Sequence, residues 1–236
     1  MSVGRFMAAA VLLIVLAGGP ARGEDVLFRE DFRDLKAWKE VFFPKIPAHT
    51  KYAAVRSDGE TFLRAESDAS ASLLVCRRTF DPYAYPKVRW RWKIENVLPG
   101  ADLKSKAGDD VPIRIYIAFA YDPARAGFAQ RLQYNAARLL YGEYPPEGSL
   151  NYVWSSRVYD ERVIVSAYTD RSRMIILQQG AGKAGTWVEE EVDIIADYRK
   201  AFGKDPPARA TIGIMSDSDN TKGKVTSYVT TLEVFR

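Results

Sequence analysis

The chain has 236 residues, 47% of them hydrophobic and 12% aromatic, with 34 lysines and arginines against 30 aspartates and glutamates, one cysteine and one histidine. An ordinary apolar fraction with mixed charge excludes a disordered, collagenous or multi-span membrane chain, and the length suits one domain of the larger all-β kind, or at most two small ones. A single histidine excludes a zinc site built on two or three histidines, and any Ser-His-Asp mechanism would depend on His49.

Residues 1–23 read as a secretory signal peptide. Arg5 supplies a positive start, residues 8–17 are an unbroken apolar run, Gly18, Gly19 and Pro20 break it, and Ala21 and Gly23 are small where signal peptidase reads. Cleavage is expected after Gly23. The run is shorter than the roughly 20 residues of a spanning helix, and no later segment is long and apolar enough, so the expectation is a soluble chain, periplasmic or secreted. An uncleaved N-terminal anchor is the alternative. Without Arg5 and Arg22 the balance is 32 basic to 30 acidic residues, which gives no clustered excess for nucleic acid. Cys76, inside Leu73, Leu74, Val75 and Cys76, has no partner for an intramolecular disulfide and reads as a buried small hydrophobe.

From Val26 the pattern has period 2. Val88, Trp90, Trp92 and Ile94 alternate with Lys87, Arg89, Arg91 and Lys93, and Ile113, Ile115, Ile117 and Phe119 alternate with Arg114, Tyr116, Ala118 and Ala120. Further strands are predicted at 26–32, 52–56, 61–66, 72–80, 151–157, 162–168, 173–179, 186–194, 209–215 and 225–235. About a dozen short strands separated by Gly, Pro, Asp and Asn predict an all-β, antiparallel β-sandwich of the jelly-roll, carbohydrate-binding or concanavalin-like kind. Two helical stretches interrupt it. One is an insertion at about 124–141, with Phe128, Leu132, Ala136 and Leu140 four apart, ended by Gly142, Pro145 and Pro146. The other is short, near 194–202, capped by Asp193 and stopped by Gly203, Pro206 and Pro207. With no repeat or linker, residues 24–236 read as one domain.

Four constellations carry possible chemistry. Lys87, Arg89, Arg91 and Lys93 form a basic comb on the face opposite the tryptophans, which Arg114 and Tyr116 are expected to extend. Arginine forks match carboxylates, so the comb suits an anionic glycan. The alternative is a solvated face neutralised by Glu189, Glu190 and Glu191 on a neighbouring strand. Asp217, Asp219 and Asn220 place three oxygen side chains within four residues, with Asp109 and Asp110 as a second acidic turn. Such hard oxygens suit a structural calcium, although no EF-hand loop is present, and Asp and Asn also favour plain turns. No cofactor is otherwise required. Asp109, Asp110, Asp217 and Asp219 are also the candidates for paired glycosidase carboxylates, without an E-x-D-x-E run. A lyase would use Tyr116 as base and Arg114 to neutralise a uronate, with His49 as a further candidate. Finally, Asn151 with Tyr152 and Trp154 suits sugar binding by hydrogen bonding and stacking, unless the two aromatics fill the core.

The segments RWRWKIENVLPGADLKSKAGDDVPIRIYIAF, RLQYNAARLLYGEYPPEGSLNYVW, DYRKAFGKDPP and IGIMSDSDNT follow in that order. With them the chain resembles, over nearly all of residues 24–236, the bacterial family known as domain of unknown function 3047. That resemblance implies exported proteins of Gram-negative bacteria, a β-sandwich related to carbohydrate-binding jelly rolls, and no activity or catalytic residues to carry over. The leading expectation is a sandwich that binds a neutral or anionic glycan, or another envelope ligand, without transforming it. Its ligand residues would be Arg89, Arg91, Lys93, Arg114, Tyr116 and Asn151. A glycoside hydrolase or polysaccharide lyase is the rival. A structural or interaction protein docking through the 124–141 insertion is the third reading.

Overall fold

The computed structural model describes residues 24–124, 126–128, 131–132, 134–135 and 144–236. The expected signal peptide and the C-terminal part of the expected helical insertion lie outside the described residues. Within the insertion Phe128, Arg131, Leu132, Tyr134 and Asn135 are helical. No helix among the described residues is long and apolar enough to cross a membrane.

Two sheets face each other. The first contains β1 (Val26–Glu30), β3 (Lys51–Ser57), β4 (Glu60–Asp68), β6 (Lys87–Ile94), β11 (Val188–Asp193) and β13 (Lys224–Phe235), in the order β11-β6-β13-β4-β3 with β1 also on β13. The second contains β2 (Trp38–Val41), β5 (Ala71–Cys76), β7 (Val111–Phe119), β8 (Gly148–Ser155), β9 (Val163–Val165), β10 (Ser172–Gln179) and β12 (Ala210–Asp217), in the order β2-β5-β12-β7-β8-β10-β9. The sandwich class is the one the alternation predicts, with one correction. Among the described residues β8 and β10 pair in parallel, so the chain crosses back between them and lays β9 antiparallel outside β10.

Alternation fixes which faces meet. Val88, Trp90, Trp92 and Ile94 are fully buried, as are Ile113, Ile115, Ile117 and Phe119 from the second sheet, so each strand gives every other residue to one shared core. Trp90 stands edge-on to Trp92 at 5.4 Å, Trp90 meets Tyr152 at 5.6 Å, and Trp92 meets Trp154 at 5.9 Å, which ties β6 to β8 across the sandwich. Each such side chain contributes about 3 kcal/mol of transfer free energy. Cys76 is buried and unpaired, as expected.

The helix Ile194–Phe202 closes one end. Asp193 Oδ1 accepts from the amides of Ile195 and Ala196 at 3.0 and 2.9 Å, and Gly203 adopts the left-handed φ of 68° that ends it. The elements differ from the sequence expectation in several places: the strands expected at 72–80 and 162–168 shorten to Ala71–Cys76 and Val163–Val165. β2 was not anticipated, because Trp38, Lys39, Glu40 and Val41 are too few to show a period. β12 runs on through Ser216 and Asp217, which pair with Ser72 and Ala71 as strand residues.

Candidate functional site

The outer face of the second sheet brings together residues that the sequence keeps far apart. On β7, Arg114 and Tyr116 point away from the core that Ile113, Ile115 and Ile117 enter. On β12, Met215 and Asp217 lie beside them, Met215 being in register with Arg114 and Asp217 with Val111. The turn after β12 then folds over the turn before β7. Asp110 accepts hydrogen bonds from the Asn220 amide and Nδ2, both at 3.2 Å, and from the Thr221 amide at 2.6 Å. The two acidic turns of the sequence are therefore one structure, and a buried one: Asp110 is fully enclosed, Asp217 is 2% exposed and Asp109 6%.

Arg114 lies at the centre of this floor and is itself buried. Its Nη2 donates to Asp217 Oδ2 and, at 3.0 Å, to the Asp109 carbonyl, while Nη1 stands 3.5 Å from Asp109 Oδ1. Asp217 Oδ1 accepts from the Val111 amide at 3.2 Å. Burial pushes the Asp217 carboxyl up to about 7 against the pull of Arg114. It also raises Asp109, again against Arg114, and Asp219, where the charge of Asp110 adds to it. Of the four carboxyl groups gathered here, Arg114 contacts two, those of Asp109 and Asp217. One oxygen each from Asp110, Asp217 and Asp219 lies within 4.8 Å of the others, a spacing that fits a hard cation. Asn220, expected as a ligand beside Asp217 and Asp219, lies against the same cluster, its Nδ2 donating to Asp110.

Above the floor opens a pocket of about 490 Å³. Tyr116 and Met215 form its base, Phe43, Pro44 and Ile46 one wall and Tyr168 another, with Asp109, Asp217 and Asp219 at the polar end and Lys45 at the mouth. The Tyr168 hydroxyl donates to the Lys106 carbonyl at 3.0 Å, which fixes the ring although it is 56% exposed. The Tyr116 hydroxyl meets Met215 Sδ at 3.5 Å, and burial pushes its pKa up to about 12. Sequence reasoning had found Arg114, Tyr116 and the aspartates but neither Tyr168 nor the wall at 43–46. The only signal there was the apolar group Phe42, Phe43 and Pro44 in a loop.

The other expected residues lie elsewhere. Arg114 and Tyr116 do not extend the comb, because β7 belongs to the second sheet and the comb to the first. The comb itself is neutralised. Arg89 meets Glu24 at 2.8 Å, Glu233 at 2.7 Å and Glu191 at 3.5 Å, Lys87 meets Glu191 at 3.5 Å, Lys93 meets Glu95 at 3.2 Å, and Arg91 lies 3.9 Å from Glu60. Lys93 also caps the ring of Tyr228 at 4.5 Å, and Arg91 that of Trp187 at 5.5 Å. Of the three glutamates expected opposite the comb, Glu190 instead accepts from the core Trp92 indole at 3.2 Å. Tyr152 and Trp154 fill the core, whereas Asn151, 2% exposed, is in register with Tyr116 on the outer face of the second sheet and donates to Ser172 Oγ. His49 stacks on Phe42 at 4.2 Å outside the pocket lining.

A search of curated proteins finds no match. Among solved structures, the chain is similar to a family 11 carbohydrate-binding module from Clostridium thermocellum in complex with a mixed-linked β-1,3-1,4 tetrasaccharide, at 12% identity and a TM-score of 0.39 over 89% of this chain and 94% of that one. It is similar too to a family 30 carbohydrate-binding module of a Clostridium thermocellum cellulosomal cellulase (10%, TM-score 0.37, 84% and 96%) and to endoglucanase 3 of Trichoderma harzianum, from glycoside hydrolase family 12 (6%, 0.39, 85% and 99%). Likenesses this distant carry nothing about ligand or chemistry. The sequence is more specific: residues 36–233 match the family described as protein of unknown function DUF3047, and the chain belongs to that family.

Proposed function

We propose that this protein is an exported glycan-binding β-sandwich, and that its ligand is a neutral sugar seated in the pocket between Tyr168, Tyr116 and the aspartate floor. One observation carries this reading. A single concavity joins aromatic and aliphatic walls to fixed carboxylates, the combination that packs the apolar face of a sugar ring and bonds its hydroxyls. The surplus of carboxylates over Arg114 opposes an anionic sugar there. Binding without turnover is favoured because the acids already have work. Asp217 is held by Arg114 and the Val111 amide, Asp110 by the amides of Asn220 and Thr221, and Tyr116 is too weakly acidic to act as a base near neutrality.

The aspartates have a structural part in the same reading. Asp110, Asp217 and Asp219 hold a calcium ion that bridges the two turns, supported by the spacing of their carboxylate oxygens. The test is isothermal titration of the purified protein with neutral β-linked oligosaccharides, with and without calcium. Binding that weakens at least about tenfold in Tyr168→Ala, the loss of one stacked ring and its neighbours, is expected. No binding to any neutral oligomer, or binding indifferent to Tyr168, would contradict the proposal.

A further inference from the structure

The geometry points to a second binding site, on the first sheet, where a groove beside β13 takes the carboxylate of an acidic saccharide between Arg33 and Arg56. The groove arises from a handover in strand pairing. β13 pairs with β4 as far as Val229 and with β1 from Leu232 onward, so the backbone ladder on that edge is interrupted at Thr230 and Thr231, where the Thr230 hydroxyl instead donates to the Thr61 carbonyl of β4 at 2.8 Å. A concavity of about 600 Å³ fills the gap.

Two features mark it as more than a seam. Thr231 has φ of 49° and Phe32 has φ of 52°, left-handed conformations that are costly for a β-branched and a bulky residue, and both line the groove. The second feature is electrostatic. Arg29 is occupied by Asp31 at 2.8 Å and Glu233 at 2.9 Å, and Glu60 faces Arg91. Arg33 and Arg56 enter from the segment after β1 and from β3, are exposed, and have no ion-pair, hydrogen-bond or ring partner among the described residues. Two unspent guanidinium forks in one concavity match a carboxylate. The volume exceeds that of a bare anion. This site has the opposite charge to the Tyr168 pocket, so the two select different sugars.

Titration with trigalacturonate at low salt tests the assignment. The protein binds it, binding weakens about tenfold in Arg33→Gln/Arg56→Gln, corresponding to one charge-assisted hydrogen bond net of solvent screening, and it weakens further as salt rises. Tyr168→Ala leaves it unchanged, while neutral-sugar binding is unaffected by the double arginine variant, so failure at either pocket is read separately. Matching melting curves for the variants and the parent exclude a folding effect. Three outcomes overturn the inference: no binding of trigalacturonate, binding indifferent to both arginines, or loss of binding in Tyr168→Ala. Competition by an equal concentration of inorganic phosphate also overturns it, because the groove then reads a bare anion rather than a saccharide.

Discussion

Replacing Arg114 with methionine tests whether one guanidinium holds the acidic floor together. The substitution preserves most of the buried stem and removes three interactions: Nη2 with Asp217, Nη2 with the Asp109 carbonyl, and Nη1 with the Asp109 carboxylate. In calcium-free buffer Asp217 and Asp109 then stay at 2% and 6% exposure with no guanidinium against them. Removing one partner of a buried ion pair costs about 3–5 kcal/mol, whereas replacing both partners by neutral groups is often close to neutral. A loss of about 4 kcal/mol lowers the melting temperature of a chain this size by about 8–16 °C. Asp217→Asn in the same background removes a buried ionisable carboxyl, whose ionised form has lost its guanidinium, while keeping an oxygen for the Val111 amide, and at least half of the loss returns. Urea denaturation of the two variants and the parent at pH 7.5 measures this. A single variant within about 1 kcal/mol of the parent, or a double variant no better than the single, refutes the reasoning.

Three more predictions follow from the same geometry. Along β6, Trp92→Ala costs about 3–5 kcal/mol by opening a cavity against Trp90 and Trp154, while Arg91→Ala, whose nearest carboxylate is 3.9 Å away and exposed, costs under about 1 kcal/mol; equal costs in urea unfolding would show that the strand faces are misassigned. Burial raises the Glu190 carboxyl above its ordinary value, so the folded state holds that proton more tightly than the unfolded state and stability falls as pH rises from about 4.5 through the raised folded value. Glu190→Gln removes this fall, and melting curves between pH 4 and 7 should show the variant gaining on the parent with rising pH; a constant difference contradicts it. Calcium in millimolar excess raises the melting temperature of the protein and chelator reverses it, with Asp219→Asn blunting the response; an unchanged melting temperature removes the ion from the rim.

Much of the framework is legible in the residues alone. The alternation in 88–94 and 113–119 sorts core from surface because large apolar side chains on one face of a strand have to be buried, and the helix at 194–202 carries both of its caps in sequence. β2 is illegible because four residues show no period. Asp217 reads as loop because a polar run at a strand end is indistinguishable from a turn until its buried partners, Arg114 and the Val111 amide, are known. The comb's neutrality is half legible: Glu191 comes from the neighbouring strand, but Glu24 and Glu233 reach Arg89 from opposite ends of the described chain. The pocket is the least legible part. Its walls come from 43–46, Tyr116, Tyr168 and Met215, four segments that share no motif and meet only through the order β5-β12-β7 and the turns around it.

The sharpest test of the central proposal is a crystal of the protein soaked with the tightest-binding neutral oligosaccharide. The account predicts a sugar ring packed against Tyr168 and Tyr116, with hydroxyls bonded to Asp109 or Asp219. Density for the sugar on the ion-paired face of the first sheet, or an empty pocket in a crystal that binds the sugar elsewhere, would contradict it.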